Sequence, residues 1–167
     1  MVEDVTRRAI ASGYSIGVIS DTHALLRPEA LDALAGSALI IHAGDVGAPG
    51  ILEKLRTIAP VVAVRGNVDT QPWCTVLPLF EVVQHESHNI YVLHDIAQLD
   101  LDPGRAALSA VIYGHSHKPS IQDRRGVLFL NPGSAGPRRF KLPVTVARMR
   151  VVQGRLAAEI VELPVAP

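Results

Sequence analysis

The sequence predicts one α/β domain, wound as a parallel sheet with helices in its first part and built from antiparallel hairpins in its second. Three observations carry this prediction. Strand-like and helix-like segments alternate through the first 70 residues; three strand pairs with polar turns follow; and 167 residues, 48% of them hydrophobic, fill one core and not two.

Residues 1–14 read as an N-terminal extension, and "SIGVIS" (15–20), a short β-branched run between polar residues, reads as the first strand. "RPEALDALAGS" (27–37) follows as a helix, with Pro28 presetting the first turn, Leu31 and Leu34 as its apolar positions and Gly36 at the stop. "ALIIHAGD" (38–45) is a second buried strand, "APGILEKLRTIA" (48–59) a second helix with Ile51, Leu52, Leu55 and Ile58 on one face, and "PVVAVRGNVD" (60–69) a third strand. Each helix links two strands, so these strands run parallel. Beyond a connection holding Pro72 and Trp73, "FEVVQH" and "HNIYVLHD" read as a strand pair around Glu86 and Ser87 that adds antiparallel pairing to the sheet. A short helical piece is expected over "PGRAALSA" (103–110), then a buried strand in "AVIYGHSH" (110–117). Two hairpins close the chain, one turning near Gly126 and one near Gln153 and Gly154.

The formal net charge is zero, so no global positive field exists to hold a nucleic-acid backbone, and an anionic ligand must be attracted locally. The single cysteine, Cys74, excludes an internal disulfide framework and fits a reducing cytoplasm; with no basic partner nearby it reads as a packed or loop thiol and not a nucleophile. Arg7 and Arg8 precede an apolar stretch as in an export signal, but Ser12, Gly13 and Ser15 interrupt it, and cleavage there would cut beside the first strand. No run of about 18 apolar residues occurs, so no membrane span is expected and the protein reads as cytoplasmic.

Five predicted strands end in polar clusters: Asp21-Thr22-His23, Gly44-Asp45, Gly66-Asn67-Val68-Asp69, His94-Asp95, and Gly114-His115-Ser116-His117. In open α/β sheets, ligands bind outside the carboxyl ends of the strands, where all five clusters fall. Aspartate, histidine and asparagine are oxygen and imidazole donors without a thiolate, a set that suits manganese, iron, zinc, nickel or magnesium. Seven such residues exceed the needs of one ion but suit two ions sharing a carboxylate.

In order and spacing, "DTH" (21–23), "GD" (44–45), "GNVD" (66–69), His94 and "GHSH" (114–117) resemble the calcineurin-like metallophosphoesterases, in particular their small single-domain YfcE-type members. The resemblance covers residues 15 to about 120, and "NPGSAGPR" (131–138) resembles a late loop of the same subfamily. It implies a four-layered α/β/β/α sandwich of two mixed sheets flanked by helices, with the whole chain as one domain. It also implies a ligand set: Asp21, His23, Asp45 and His117 on one metal, and Asp45, Asn67, His94 and His115 on the other. Asp45 bridges, and Asp45, Asn67 and His94 are carried over as catalytic residues.

The implied activity is a dinuclear metal-dependent phosphodiesterase, with manganese the first expectation and iron, zinc, nickel or magnesium as alternatives. In it a metal-bridging hydroxide attacks phosphorus, since coordination brings the pKa of water down to about 7. Two divalent ions less two carboxylates and a hydroxide leave a local positive charge for a phosphate ester. The partner expected is a small phosphodiester, with no membrane and no strong nucleic-acid signal; a homodimer is left open. The same fold also serves as a protein-interaction scaffold in the retromer coat subunit that resembles this subfamily, and a phosphomonoesterase would use the same ions.

Two positions depart from the family pattern. Many members carry histidine where this chain has Val68, which cannot transfer a proton, so the general acid is unassigned. The usual His-Gly reads His94-Asp95, and Asp95 either orients a ligand imidazole or caps a turn. Asp69 is expected to support a ligand or cap a turn, and His42 to be a hydrogen-bonded core or ligand-supporting histidine. Arg138 and Arg139 hold a phosphate or are surface charge. His85, His88, Arg124 and Arg125 are expected to be solvated.

Overall fold

The computed structural model describes residues 16–166, so the expected extension over 1–14 lies outside the described residues. Along the chain run β1 (Ile16–Ile19), α1 (Pro28–Leu34), β2 (Leu39–His42), α2 (Pro49–Arg56), β3 (Val61–Ala63), β4 (Phe80–His85), β5 (His88–Leu93), β6 (Ala110–Ile112), β7 (Ser120–Arg124), β8 (Val127–Asn131), β9 (Thr145–Val152) and β10 (Arg155–Glu162). Short 3-10 turns lie at Pro72–Val76 and Ile96–Gln98.

The strands form two five-stranded sheets, in the orders β10-β9-β1-β2-β3 and β4-β5-β6-β8-β7. The β4–β5 hairpin therefore opens a second sheet and does not add to the first. Pairing in the second part is mixed as well, because β5–β6 and β6–β8 are parallel. The last hairpin returns to the first sheet, where β9 runs antiparallel to β1.

The period of two along each strand sorts side chains into three apolar layers. Between the sheets lie Ile16, Val18, Ile41, Ile90, Val92, Ala110, Ile112, Leu130 and Met149. On the other face of the first sheet, Ile19, Ile40, Ala63 and Val146 meet Ala30, Ala33 and Leu34 of α1 and Ile51, Leu52 and Leu55 of α2. Gly17 faces α1, and a Cβ there would come within 2.7 Å of Leu34 and Ser37. The outer face of the second sheet, with Tyr91, Leu93, Val111, Val127 and Phe129, is covered by Ile96, Leu99, Leu101 and Leu108. Arg124 is exposed, as expected, and lays its guanidinium 4.3 Å from the centre of the Phe129 ring.

The helix expected over 103–110 is absent. Asp102 caps a single turn, its carboxylate accepting from Gly104 N and Arg105 N and its carbonyl from Ala106 N, and Ala107 at φ 54° ends it there, with Leu108 N bonding back to Pro103 O. His88 is buried, its Nδ1 3.0 Å from the Ser109 hydroxyl, because the chain entering β6 lies over it; His85 is half-buried. No helix among the described residues is long and apolar enough to cross a membrane.

Candidate metal centre

The ladder between β1 and β2 continues past the strand ends, with Asp21 N donating to Gly44 O at 3.0 Å, His23 N to Asp45 O at 3.0 Å and Ala24 N to Val46 O at 2.9 Å. The loop after β1 is thus held to the loop after β2. From the other sheet, His94 Nδ1 donates to Ala43 O at 2.7 Å, and Gly114 N to His94 O at 2.9 Å. The polar clusters of both sheets therefore meet at one end of the sandwich.

Asp21, His23, Asp45, His115 and His117 all have positive φ, between 45° and 69°. Left-handed conformations of non-glycine residues cost of order 1 kcal/mol or more each and gather at functional sites. Gly44 and Gly66 provide the room this needs. A Cβ on Gly44 would lie 2.6 Å from His94 Nδ1, and one on Gly66 would overlap the Asp45 carboxylate and backbone.

All seven residues expected as ligands come together. Asp21, His23 and His117 form one group able to hold a metal ion, and Asp45, His94 and His115 another, with the donor atoms of each group within 4.8 Å of one another. Asp45 Oδ2 faces both, 3.6 Å from His23 Nε2 and 3.1 Å from His94 Nε2. Asn67 Oδ1 joins the second group, 3.1 Å from His94 Nε2 and 3.1 Å from His115 Nδ1. The ring pairs His23–His117 and His94–His115 stand 5.3 and 5.2 Å apart.

The donors fit cations. With Nδ1–H given to Ala43, His94 directs Nε2 at two oxygens, Asp45 Oδ2 and Asn67 Oδ1, a place that either a proton or a metal ion satisfies. Asp21 Oδ1 and His23 Nε2 are buried without hydrogen-bond partners, although His117 Nε2 approaches Oδ1 to 3.2 Å. The other Asp21 oxygen is occupied by Ser20 Oγ at 2.7 Å and His115 N at 3.1 Å. Native structures rarely leave such atoms orphaned unless something binds them.

Charges respond accordingly. Burial opposes ionisation of Asp21, but the contacts of His117 and Ser20 and the charges of His94 and His117 outweigh it and hold its carboxyl below the usual range. Burial likewise opposes ionisation of Asp45, and His94 with the Val68 N–H overcomes it. His94 is raised despite burial, by Asp45, Asp21 and the Ala43 carbonyl. His23 is lowered by burial against the pull of Asp45 and Asp21, with a further push from Arg139.

The supporting residues resolve as follows. His42 is fully buried; its Nδ1 accepts from Gly44 N at 3.2 Å and its Nε2 lies 3.0 Å from Thr22 Oγ1, which donates to Val46 O at 2.8 Å. It ties the two ligand loops together and is not a donor in either group. Asp69 accepts from Val46 N, Gly47 N and Gly66 N at 2.9 to 3.1 Å, clasping the loops after β2 and β3. Asp95 caps the 3-10 turn through Ala97 N and orients no imidazole. Arg138 and Arg139 are exposed, with the charge of Arg139 felt at His23. Cys74 is buried and its pKa is raised by burial, so it is an inert packed thiol.

Sequence reasoning missed Ser20, Thr22 and Ser134, which hold Asp21 and its loop. Ser134 Oγ donates to Asp21 O at 3.0 Å from 113 residues away, a contact that leaves no local signal.

Two mixed sheets packed face to face, with clustered aspartate, asparagine and histidine at one end, define an α/β sandwich with a candidate metal centre. Residues 14–154 match the calcineurin-like phosphoesterase superfamily domain, and the chain belongs to that superfamily. It is 37% identical over 158 residues, 87% of this chain and 91% of the relative, to a probable metallophosphoesterase of Methanothermobacter thermautotrophicus. Among solved structures, an archaeal phosphodiesterase superposes with a TM-score of 0.73 at 21% identity, covering 87% of this chain and 99% of the other. Vps29 of Chaetomium thermophilum superposes with a TM-score of 0.72 at 22% identity, covering 89% of this chain and 97% of the other. At these identities the two structures speak for the fold alone.

Proposed function

We propose that this chain is a phosphodiesterase working with two divalent ions, manganese first among them. Asp21, His23, Asp45 and His117 hold one ion, and Asp45, Asn67, His94 and His115 the other. The observation that carries the reading is the position of Asp45 Oδ2 between the two donor groups, which suits a shared ligand. Bound ions of this kind supply activation of water and neutralisation of charge on the phosphoryl oxygens.

The chain's own residues do the rest. The Val68 N–H holds Asp45 Oδ1 at 3.0 Å, which aims the other oxygen at both groups. Ala43 O fixes the His94 tautomer, so that Nε2 is the ligating nitrogen. Asp45, Asn67 and His94 thereby stand at the reacting position. Arg139, and Arg138 beside it, offer positive charge at the rim for an anionic ester oxygen.

The Val68 side chain is 44% exposed next to this group and carries no proton. Expulsion of a poor leaving group draws on general-acid help worth typically about 10²–10⁴-fold. The preferred substrates are therefore diesters whose leaving group departs unprotonated, such as aryl diesters.

The test is the metal content of the purified chain after manganese loading, with hydrolysis of an aryl phosphodiester and its monoester counterpart before and after chelation. Two manganese per chain with diester hydrolysis abolished by chelation is the expected result. A chain that takes up neither manganese nor iron, zinc, nickel or magnesium with all seven residues intact would overturn this reading and promote the scaffold.

A further inference from the structure

The segment "NPGSAG" (131–136) contributes no metal donor, yet it touches both ligand loops. Asn131, at the end of β8, is fully buried. Its Nδ2 donates to Gly114 O at 3.0 Å and to Ser116 Oγ at 3.1 Å, one partner on each side of His115. Its Oδ1 accepts from Gly133 N at 2.9 Å. Beyond that turn, Ala135 N donates to Ser20 O at 3.1 Å and Ser134 Oγ to Asp21 O. The segment thus joins the turn carrying His115 and His117, held by the Asn131 amide, to the loop carrying Asp21 and His23, held by Ser134 and Ala135.

The turn needs such a partner. His115 and His117 lie at φ 69° and 62°, and two strained residues separated by one do not persist unless their surroundings over-determine them. That pair of conformations sends His115 toward Asn67 and His94, and His117 toward Asp21. The geometric demand is specific: two donors toward the turn and one acceptor away from it. Asparagine meets it; aspartate lacks the donors and leucine lacks everything but the shape.

We propose that Asn131 is a positioning residue for both halves of the metal centre, locking the 114–117 turn so that its two histidines serve different ions. This rests on the ligand assignment above, which manganese binding by the native chain tests separately.

The experiment is calorimetric titration of manganese into the native chain and the variants Asn131→Asp, Ser116→Ala and Leu130→Val. Electron paramagnetic resonance of the loaded proteins reads the coupling between paired ions. The native chain is expected to bind two ions with a coupled spectrum, and failure there defeats the ligand assignment. Asn131→Asp keeps the acceptor for Gly133 but sets an oxygen against Gly114 O. It should weaken both positions about 10–100-fold, the range for residues that orient metal ligands, and lose the coupled signal. Ser116→Ala removes one bond at an exposed residue and should weaken both positions less, by several-fold. Leu130→Val, a core change beside Asn131, should lower the melting temperature and leave manganese affinity as it was. Native affinity in Asn131→Asp, or weakening confined to one position, overturns the proposal. If Asn131→Asp does not fold, unchanged affinity in Ser116→Ala overturns it.

Discussion

His42 should make the metal-free protein lose stability in mild acid, and the loss can be isolated. The imidazole accepts from Gly44 N and donates to Thr22 Oγ1, so only its neutral form fits, and burial, against the attraction of Asp21 and Asp69, pushes its pKa down to about 4. The unfolded value is about 6.5. Between those values the unfolded chain binds a proton that the folded chain refuses, so the stability present above pH 6.5 falls as pH drops toward 4. Going from pH 7 to pH 4.5 should cost roughly 2–3 kcal/mol through this group.

The perturbation is His42→Gln, which keeps a donor within reach of Thr22 and cannot titrate. At pH 7 it should be less stable by about 1–3 kcal/mol, since Gly44 N loses its acceptor. At pH 4.5 that deficit should vanish or reverse. The assay is urea unfolding of both proteins after chelation, because acid would also release bound metal. Carboxylates common to the two proteins cancel in the difference. A deficit equal at the two pH values, within about 0.5 kcal/mol, would show that His42 is protonated in the fold and that the assigned hydrogen bonds are wrong.

Asp45→Ala should abolish hydrolysis and lower manganese stoichiometry, whereas Asn67→Ala should weaken one position and leave measurable rate; equal and negligible effects on metal content would contradict the shared-ligand assignment. Replacing His115 or His117 singly should weaken different metal peaks in crystals, and emptying of the same position by both would refute the division into two groups. Asp69→Ala leaves three backbone N–H groups without their acceptor and should destabilise by about 3 kcal/mol or more on denaturation, with Asp69→Asn in between. Val68→His should flatten the dependence of rate on leaving-group pKa and raise monoester relative to diester hydrolysis; fast alkyl monoester hydrolysis by the native protein would mean another residue supplies the proton.

The candidate ligands were legible because each closes a strand, and a β-branched run ending in aspartate, histidine or glycine is a pattern within ten residues of chain. The βαβαβ start was legible for the same reason: helical and strand periodicity are local, and the crossover rule turns them into parallel pairing. The helix expected over 103–110 stopped after one turn, because Ala107 enters the left-handed region and Leu108 N bonds back to Pro103 O, closing the turn that Asp102 had capped. Other features depended on which distant segment arrived. Alternation along β4 and β5 says that one face is buried but not against which sheet, so their assignment to a second sheet came from packing. His88 flanks a turn and reads as solvated until the chain before β6 lies over it. The sequence alone offers Asp69 as a ligand support or turn cap, and Asn131 only as the start of a loop that resembles the subfamily, without saying what either holds. Only the tertiary structure makes them clasps, because a hydrogen bond spanning 15 to 23 residues depends on how strands stack and leaves no periodicity in the chain.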